Sequence, residues 1–160
     1  MGTVRVIGCG NPEAGDDAAG LLALRLARPD LERMAGVDVI EAGPGLRLLD
    51  LLEEPDAVVV VDAVRSRHRG RRPGEVVRVE AGPEGLAAVG ASSVSSHGFG
   101  VAEVVGLAGA MGRVRRLVFL GVEAGDVAAG HPLSEPVAQA LPALAGLVSA
   151  EVARLIEEAP

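Results

Sequence analysis

Two aspartates and one histidine stand where a sheet built from this sequence would bring them together. Asp17 follows a glycine turn after the first strand-like run, Asp62 ends a run of four valines, and His97 lies in a loop of small polar residues. In open α/β sheets, sites form beyond the carboxyl ends of the strands, where the strand order reverses. If the first and third strands are neighbours, two carboxylates and one imidazole converge there. This set of oxygen and nitrogen ligands suits a divalent transition metal and leaves coordination positions open.

Asp16 and Asp17 are adjacent at the start of an apolar, helix-like run. A glycine turn between a first strand and a helix usually binds phosphate, because the helix N-terminus carries partial positive charge and free N–H groups. Two fixed negative charges at this point favour a cation or a polar substrate instead. A helix N-cap or a first-turn acid explains one of the two aspartates but does not require the second.

The glycine spacing also differs from that of a dinucleotide site. That fingerprint has the form G-x-G-x-x-G, whereas here Gly8 and Gly10 are followed by no glycine until Gly15. Glu41 nevertheless ends the second strand-like run, where a ribose-binding acid would stand in a Rossmann fold. A nucleotide-binding Rossmann-like enzyme is therefore kept as an alternative.

The composition indicates one acidic domain with an aliphatic core. The 160 residues fit a single domain over 1–160, hydrophobic residues make up 49%, and there is no Trp, no Tyr and only two Phe. A net charge of −7 without stacking aromatics argues against nucleic-acid binding. The single cysteine, Cys9, is expected to pack as a small apolar side chain. We recognise no targeting segment and no run long and apolar enough to span a bilayer, which predicts a cytoplasmic protein.

Strand-like and helix-like runs alternate along the chain, which predicts an α/β fold with helices packed on a sheet. The run of valines before Asp62 fits a central strand that is buried on both faces. Ser134 is a candidate N-cap of the closing helix, and Pro142 is expected to kink or restart that helix. The expected strands span residues 3–8, 37–42, 57–62, 75–80 at an edge, and 117–122.

The segment from Arg65 to Arg72 is the one dense positive patch of an otherwise acidic chain. Such a segment usually forms a solvated loop, and here it is also a candidate docking site for a partner protein. His68 within the segment is expected to be solvated, and His131 before Pro132 is expected to have a structural role.

Short motifs follow one another in order over nearly the whole chain. They are Gly8-x-Gly10-Asn11, Asp16-Asp17-x-x-Gly20, Glu41-Ala42-Gly43, Val61-Asp62-Ala63, Ser96-His97-Gly98, Gly121-Val122-Glu123 and Leu133-Ser134-x-x-Val137. Each motif alone is weak. The ordered set resembles the hydrogenase maturation endopeptidases, which process the large subunit of nickel–iron hydrogenases.

The resemblance implies a twisted, mostly parallel five-stranded sheet flanked by helices on both faces. It also implies an endopeptidase that removes the C-terminal extension of a hydrogenase large-subunit precursor after nickel insertion. By motif position, Asp17, Asp62 and His97 would contact the metal, and Glu41 would be an acidic residue near the site. The nickel would arrive with the precursor, although another divalent metal could occupy the site.

Two mechanisms stay open for such a peptidase. A carboxylate of Asp17 or Glu41 could act as general base on a water molecule beside the metal. Alternatively, two carboxylates of the set Asp17, Glu41 and Asp62 could work as an aspartic-type pair without a catalytic metal. A nickel-binding maturation chaperone without catalytic activity is a further alternative.

Overall fold

The computed structural model describes residues 2–43, 47–66, 70–81, 93–94, 101–112 and 114–159. Strands and helices alternate through these ranges. In chain order the elements are β1 (Val4–Cys9), a 3-10 turn (Gly15–Ala18), α1 (Ala19–Leu31), β2 (Val37–Ala42), α2 (Arg47–Leu51), β3 (Ala57–Ser66), β4 (Val76–Ala81), β5 (Ser93–Val94), α3 (Val101–Ala110), β6 (Leu117–Glu123) and α4 (Glu135–Glu158).

The strands form one mostly parallel sheet in the order β2-β1-β3-β6-β4. Strands β1, β2, β3 and β6 run parallel, and β4 runs antiparallel to β6 at one edge. The short β5 pairs with the end of β3, outside this five-strand path. The chain order reverses between β1 and β3, which places the expected crevice at their carboxyl ends. The predicted fold class and the predicted edge strand are confirmed.

Side chains of the central strands alternate between two separate apolar layers. In β3, Val59 and Val61 pack in a layer formed with α1 and α4, whereas Val58 and Val60 pack in a layer formed with α2 and α3. All four valines are fully buried, as expected for a strand covered on both faces. Helices therefore flank both faces of the sheet, as predicted.

Strand β3 is longer than the sequence predicted, which moves Asp62 from the end of a strand into its interior. The chain stays in the sheet beyond Asp62 because Val64 pairs with β6 and Arg65 pairs with β5. Its pairing with β1, by contrast, ends where Gly8 lies opposite Val61. Asp62 is therefore the first residue of β3 beyond the end of its pairing with β1.

The closing helix α4 is one continuous element of 24 residues. Pro142 lies inside it, so the restart expected at this proline does not occur. The neighbouring Leu141 and Leu144 are buried, and their packing keeps the chain helical on both sides of the proline. The apolar face expected from the sequence is confirmed.

By length and composition alone, α4 is apolar enough to cross a membrane, and it is the one such helix in the described ranges. This result corrects the expectation that no run of the chain meets that test. The buried side chains of α4, among them Val137, Leu144, Val148 and Val152, belong to the core layer that covers the sheet. Core packing therefore explains the apolar character of the helix.

Candidate functional site

The start of α1 lies directly against the carboxyl ends of β1 and β3. A Cβ atom at Gly20 would stand 2.4 Å from the carbonyl oxygen of Val61 and 2.5 Å from that of Cys9. It would also stand 2.8 Å from the Cα atom of Asp62. Glycine is therefore required at this position, and its missing side chain lets the turn that carries Asp17 approach Asp62.

Asp17 and Asp62 reach this junction from two different elements. Asp17 belongs to the 3-10 turn and is half-buried, and its Oδ2 accepts a hydrogen bond from the Asn11 backbone N–H at 3.0 Å. Asp62 is only 8% exposed, and its Oδ1 accepts a hydrogen bond from the Ala63 N–H at 2.8 Å. The charge of Asp17 acts on Asp62, so the structure places these two predicted site residues near each other.

The charge of Asp17 opposes the ionisation of Asp62. Burial, followed by the charge of Asp17, raises the pKa of Asp62 well above its usual range, and the Ala63 N–H offsets only part of this effect. The described part of the chain contributes no cation to that balance. Two acidic groups in this situation form a place that a cation or a shared proton would stabilise.

Cys9 is buried beside the same two carboxylates. It belongs to the core layer formed with α2 and α3 and is fully buried, which confirms the packing role expected from the sequence. Burial, followed by the charges of Asp62 and Asp17, raises the pKa of its thiol. The thiol is therefore neutral near pH 7 and is not an activated nucleophile.

Asp16 is used differently from its neighbour Asp17. Its fully buried carboxylate accepts hydrogen bonds from the N–H groups of Gly125 at 2.8 Å and Asp126 at 2.9 Å, and from the N–H and hydroxyl of Ser134, both at 2.7 Å. Burial alone would raise the pKa of Asp16, but these hydrogen bonds outweigh it and lower the pKa.

These contacts correct two sequence-based interpretations. Neither aspartate caps α1, because the N-cap residue is Ala18 and no side-chain cap bond is present there. Ser134 does occupy the N-cap position of α4, but its hydroxyl donates to Asp16 instead of capping the helix. The role of Asp16 was missed because its partners lie more than a hundred residues away in the sequence.

Glu41 lies at the end of β2, on the opposite face of the sheet from Asp62. Two residues before Glu41 in β2 is Val39, which packs against the layer of α1 and α4. Two residues before Asp62 in β3 is Val60, which packs in the layer of α2 and α3. Since side chains two residues apart share a face of a strand, the two carboxylates point to different faces.

An ion pair engages the carboxylate of Glu41. Arg25 of α1 donates through Nε and Nη2 to its two oxygens, each at 2.9 Å, and Arg28 lies 3.5 Å away. The hydrogen bond from Arg25 is the main cause of a lowered pKa at Glu41. A lowered pKa weakens a general base, and the catalytic role implied for Glu41 stays a prediction.

His97, the third predicted ligand, lies outside the described residues, as do His68 and residues 67–69 of the basic segment. Within the described ranges, no group of three His, Cys, Asp or Glu side chains is arranged to hold a metal. Asp17 and Asp62 are the two members of the predicted ligand set that the structure describes. Their oxygen donors suit a divalent cation, and the three-residue site stays a prediction.

His131 lies on the loop that bonds to Asp16. Its Nδ1 is 2.7 Å from Oδ2 of Asp126, and its carbonyl oxygen accepts a hydrogen bond from the Gly15 N–H. One contact lies within the loop and the other joins the loop to the 3-10 turn, which fits the structural role expected for this histidine.

Comparison with known proteins identifies relatives of the whole domain. The chain matches the family model described as HycI, hydrogenase maturation protease, over residues 22–151. This range includes Glu41, Asp62 and His97 and begins after Asp17. No curated protein matches the chain.

Solved structures extend the similarity to nearly the full length. The hydrogenase maturating endopeptidase HybD from Escherichia coli has a TM-score of 0.75 at 23% identity, over 97% of this chain and 93% of that one. The nickel–iron hydrogenase maturation protease HybD from Thermococcus kodakarensis has a TM-score of 0.69 at 27% identity, over 91% of this chain and 96% of that one. The HycI protease from the same organism has a TM-score of 0.67 at 27% identity, over 92% and 90%.

Proposed function

The chain belongs to the hydrogenase maturation protease family, and we propose that Asp17 and Asp62 form the place where it recognises nickel in its substrate. As a member of this family, the protein is an endopeptidase that processes the C-terminal end of a hydrogenase large-subunit precursor. The proposal adds the residues that carry recognition, the role of the metal and the chemistry of cleavage.

The observation that carries the proposal is the pair of neighbouring carboxylates at the ends of β1 and β3. Asp62 is almost fully buried, and the charge of Asp17 raises its pKa further. Burying a carboxylate beside a second acidic group without a compensating cation is costly. A divalent metal brought by the substrate would remove that cost at the moment of binding.

Nickel is part of the substrate in this proposal. The precursor carries the metal, and Asp17, Asp62 and His97 supply the protease's contacts to it. Three ligands with open positions hold a free ion weakly but can add to a metal that already has ligands of its own. A precursor without nickel lacks this bridge and should bind poorly.

When they do not ligate the metal, the same carboxylates are suited to aspartic-type cleavage, which is an alternative to metal contact because a metal-bound Asp62 cannot keep its proton. The raised pKa of Asp62 favours its protonated form, and Asp17 is the second carboxylate of the pair. Asp17 would accept a proton from the attacking water, and the carboxylic acid of Asp62 would donate its proton to the leaving amide nitrogen. The new C–O bond forms first and the C–N bond breaks afterwards, and the pair ends with one proton, as it began.

We place this reaction in the cytoplasm. The single cysteine is a free, buried thiol, which fits a reducing compartment. The partner is the hydrogenase large-subunit precursor.

The test compares two forms of the precursor. Purified protease is mixed with nickel-loaded and with nickel-free precursor, and release of the C-terminal peptide is followed by mass spectrometry. We expect cleavage of the loaded form only. Equal cleavage of both forms would exclude nickel recognition while leaving the peptidase activity in place.

Variants test the assigned residues in the same assay. Asp17→Asn and His97→Ala should each leave the loaded precursor uncut. Asp38→Asn is the matched control, because Asp38 is an exposed aspartate that pairs with Arg5 near the opposite end of the sheet. Full activity of Asp17→Asn would contradict the proposal.

A further inference from the structure

We infer that Asp16 is a positioning residue that holds Asp17 in place by fastening the 3-10 turn to the loop of residues 124–134, here called the rim loop. The inference rests on the proposed function only for its effect on cleavage. The placement of Asp17 itself can be tested without substrate.

The Asp16 carboxylate is saturated by the rim loop. Its Oδ2 accepts three hydrogen bonds, from Gly125 N, Asp126 N and Ser134 Oγ, and its Oδ1 accepts one from Ser134 N. Hydrogen bonds to a charged acceptor are stronger than those between neutral groups. One buried side chain therefore binds both ends of the rim loop.

Backbone hydrogen bonds also connect the rim loop to the 3-10 turn and the residues just before it. Asp16 N donates to the Asp126 carbonyl at 2.7 Å, Gly15 N donates to the His131 carbonyl at 3.1 Å, and Gly130 N donates to the Glu13 carbonyl at 2.7 Å.

At Gly15 the turn and the rim loop pack so closely that no side chain would fit between them. It has a φ of +53°, and a Cβ there would stand 2.4 Å from the Asp126 carbonyl oxygen. The turn and the rim loop therefore form one packed unit.

The geometry of the turn makes this contact relevant to Asp17. A 3-10 helix has three residues per turn, so side chains of adjacent residues point about 120° apart. When Asp16 points into the rim loop, Asp17 must point elsewhere, and here it faces the Asn11 amide and the neighbourhood of Asp62. Fixing the direction of Asp16 therefore fixes the direction of Asp17.

The two adjacent aspartates thus divide the work. Asp16 is neutralised by donors of the protein itself, whereas Asp17 and Asp62 remain available to the substrate. Asparagine could not replace Asp16, because its amide group offers one acceptor oxygen and would set an NH₂ group against N–H donors. The hydroxyl of Ser134 supplies only one of the four bonds, so its removal should have a milder effect.

The experiment measures amide hydrogen exchange by NMR in the free protein and its Asp16→Asn and Ser134→Ala variants. Gly125, Asp126 and Ser134 amides report the rim loop, and the Asn11 amide, which donates to Asp17 Oδ2, reports the position of Asp17. We expect Asp16→Asn to increase exchange at all four amides by tenfold or more. Ser134→Ala should increase it less and in the same pattern.

The rate at which nickel-loaded precursor is cleaved should fall as exchange of the Asn11 amide rises. We expect the rate to fall roughly 100-fold in Asp16→Asn and a few-fold in Ser134→Ala. Glu151→Gln, in which the substitution lies on α4 among arginines, is the control for general destabilisation and should leave Asn11 protected. If Asp16→Asn does not fold, Ser134→Ala decides the question.

Loss of protection in the rim loop with an unchanged Asn11 amide and a normal cleavage rate would overturn the inference, because Asp16 would then serve the loop alone. An altered Asn11 amide together with an active Asp17→Asn variant would uphold the positioning role. It would contradict the function proposed for Asp17 instead.

Discussion

Two regions of the protein bury acidic side chains in opposite ways. At the ends of β1 and β3, Asp62 is buried beside Asp17, and the pKa of Asp62 is raised. On α4, the buried Glu151 accepts hydrogen bonds from Arg78 and Arg154, and the pKa of Glu151 is lowered, chiefly by the bond from Arg78. A carboxylate with cationic partners stabilises the fold, whereas a carboxylate beside another carboxylate is left for a partner from outside.

The second region joins the edge strand β4 to α4 and to Arg116, the residue before β6. Its members, here called the ion-pair cluster, are Arg78, Glu80, Arg116, Glu151, Arg154 and Glu158. Burial alone would raise the pKa of Glu80, but hydrogen bonds from Arg78, Arg116 and Arg154 outweigh it and bring the pKa to about 2. Glu80 pairs with Val118 near the amino end of β6, away from the site. Substitutions in the cluster should therefore change the stability of the protein without changing the cleavage reaction.

The largest expected effect is on cleavage in Asp62→Asn. Removing a group that transfers a proton should lower the rate by about 10²–10⁴-fold. The melting temperature should stay the same or rise by a few degrees, because the substitution removes one of two acidic groups that repel each other when both are ionised. Mass spectrometry of the released peptide and calorimetry of the free protein give the two measurements. A large fall in melting temperature would assign Asp62 to the structure instead.

Glu151→Gln should show the reverse pattern. Its side chain is 8% exposed, and its loss as an anion leaves Arg78 and Arg154 without their buried partner. We expect a destabilisation of about 2–3 kcal/mol, below the full cost of breaking a buried pair because both arginines are partly exposed. Urea unfolding measures this loss, and cleavage at 25 °C should stay within twofold of the wild type. A large loss of activity in the folded variant would remove the contrast between the two regions.

The two regions should also differ in how their contributions to stability depend on pH. The folded pKa of Glu80 is about 2, below its ordinary value of 4.5, so its contribution is complete above pH 4.5 and disappears as the pH falls towards 2. That contribution should be on the order of 2 kcal/mol, allowing for partial exposure of the side chain. Glu80→Gln should flatten the loss of stability over this window in urea unfolding measured at several pH values.

Asp62 should show the opposite sign. Its folded pKa lies above the ordinary 3.8, so protonation favours the folded state and stability should rise as the pH falls through the raised pKa. Asp62→Asn should abolish that rise. If the free energy of unfolding depended on pH in the same way in Asp62→Asn and the wild type, the charge of Asp62 would be compensated in the free protein, which would contradict this prediction.

The smallest effect is expected for Glu41→Gln. Like the glutamates of the ion-pair cluster, Glu41 is paired with arginines, Arg25 and Arg28. It also lies on the other face of the sheet from Asp62. Cleavage should fall by less than about tenfold, since a general base contributes more than that when it is removed. Steady-state kinetics with nickel-loaded precursor measure the change. A loss as large as that of Asp62→Asn would restore Glu41 as a catalytic residue.

The main features of the fold could be predicted from local pattern. Four valines in succession indicated a strand buried on both faces, and alternating strands and helices indicated the α/β class. The approach of Asp17 to Asp62 also followed from the sequence, because the carboxyl ends of adjacent parallel strands meet at one edge of a sheet. The ordered motifs indicated the family from the sequence alone.

Other features required the tertiary structure. No local pattern distinguishes Asp16 from Asp17, since the donors that bind Asp16 lie more than a hundred residues further along the chain. The pairing of Glu41 with Arg25 likewise depends on which face of the sheet α1 covers. Sequence thus determined which residue types stand at the ends of the strands. Only the packed chain decided which carboxylates received partners, because hydrogen bonds and ion pairs depend on distances in space that spacing along the chain does not contain.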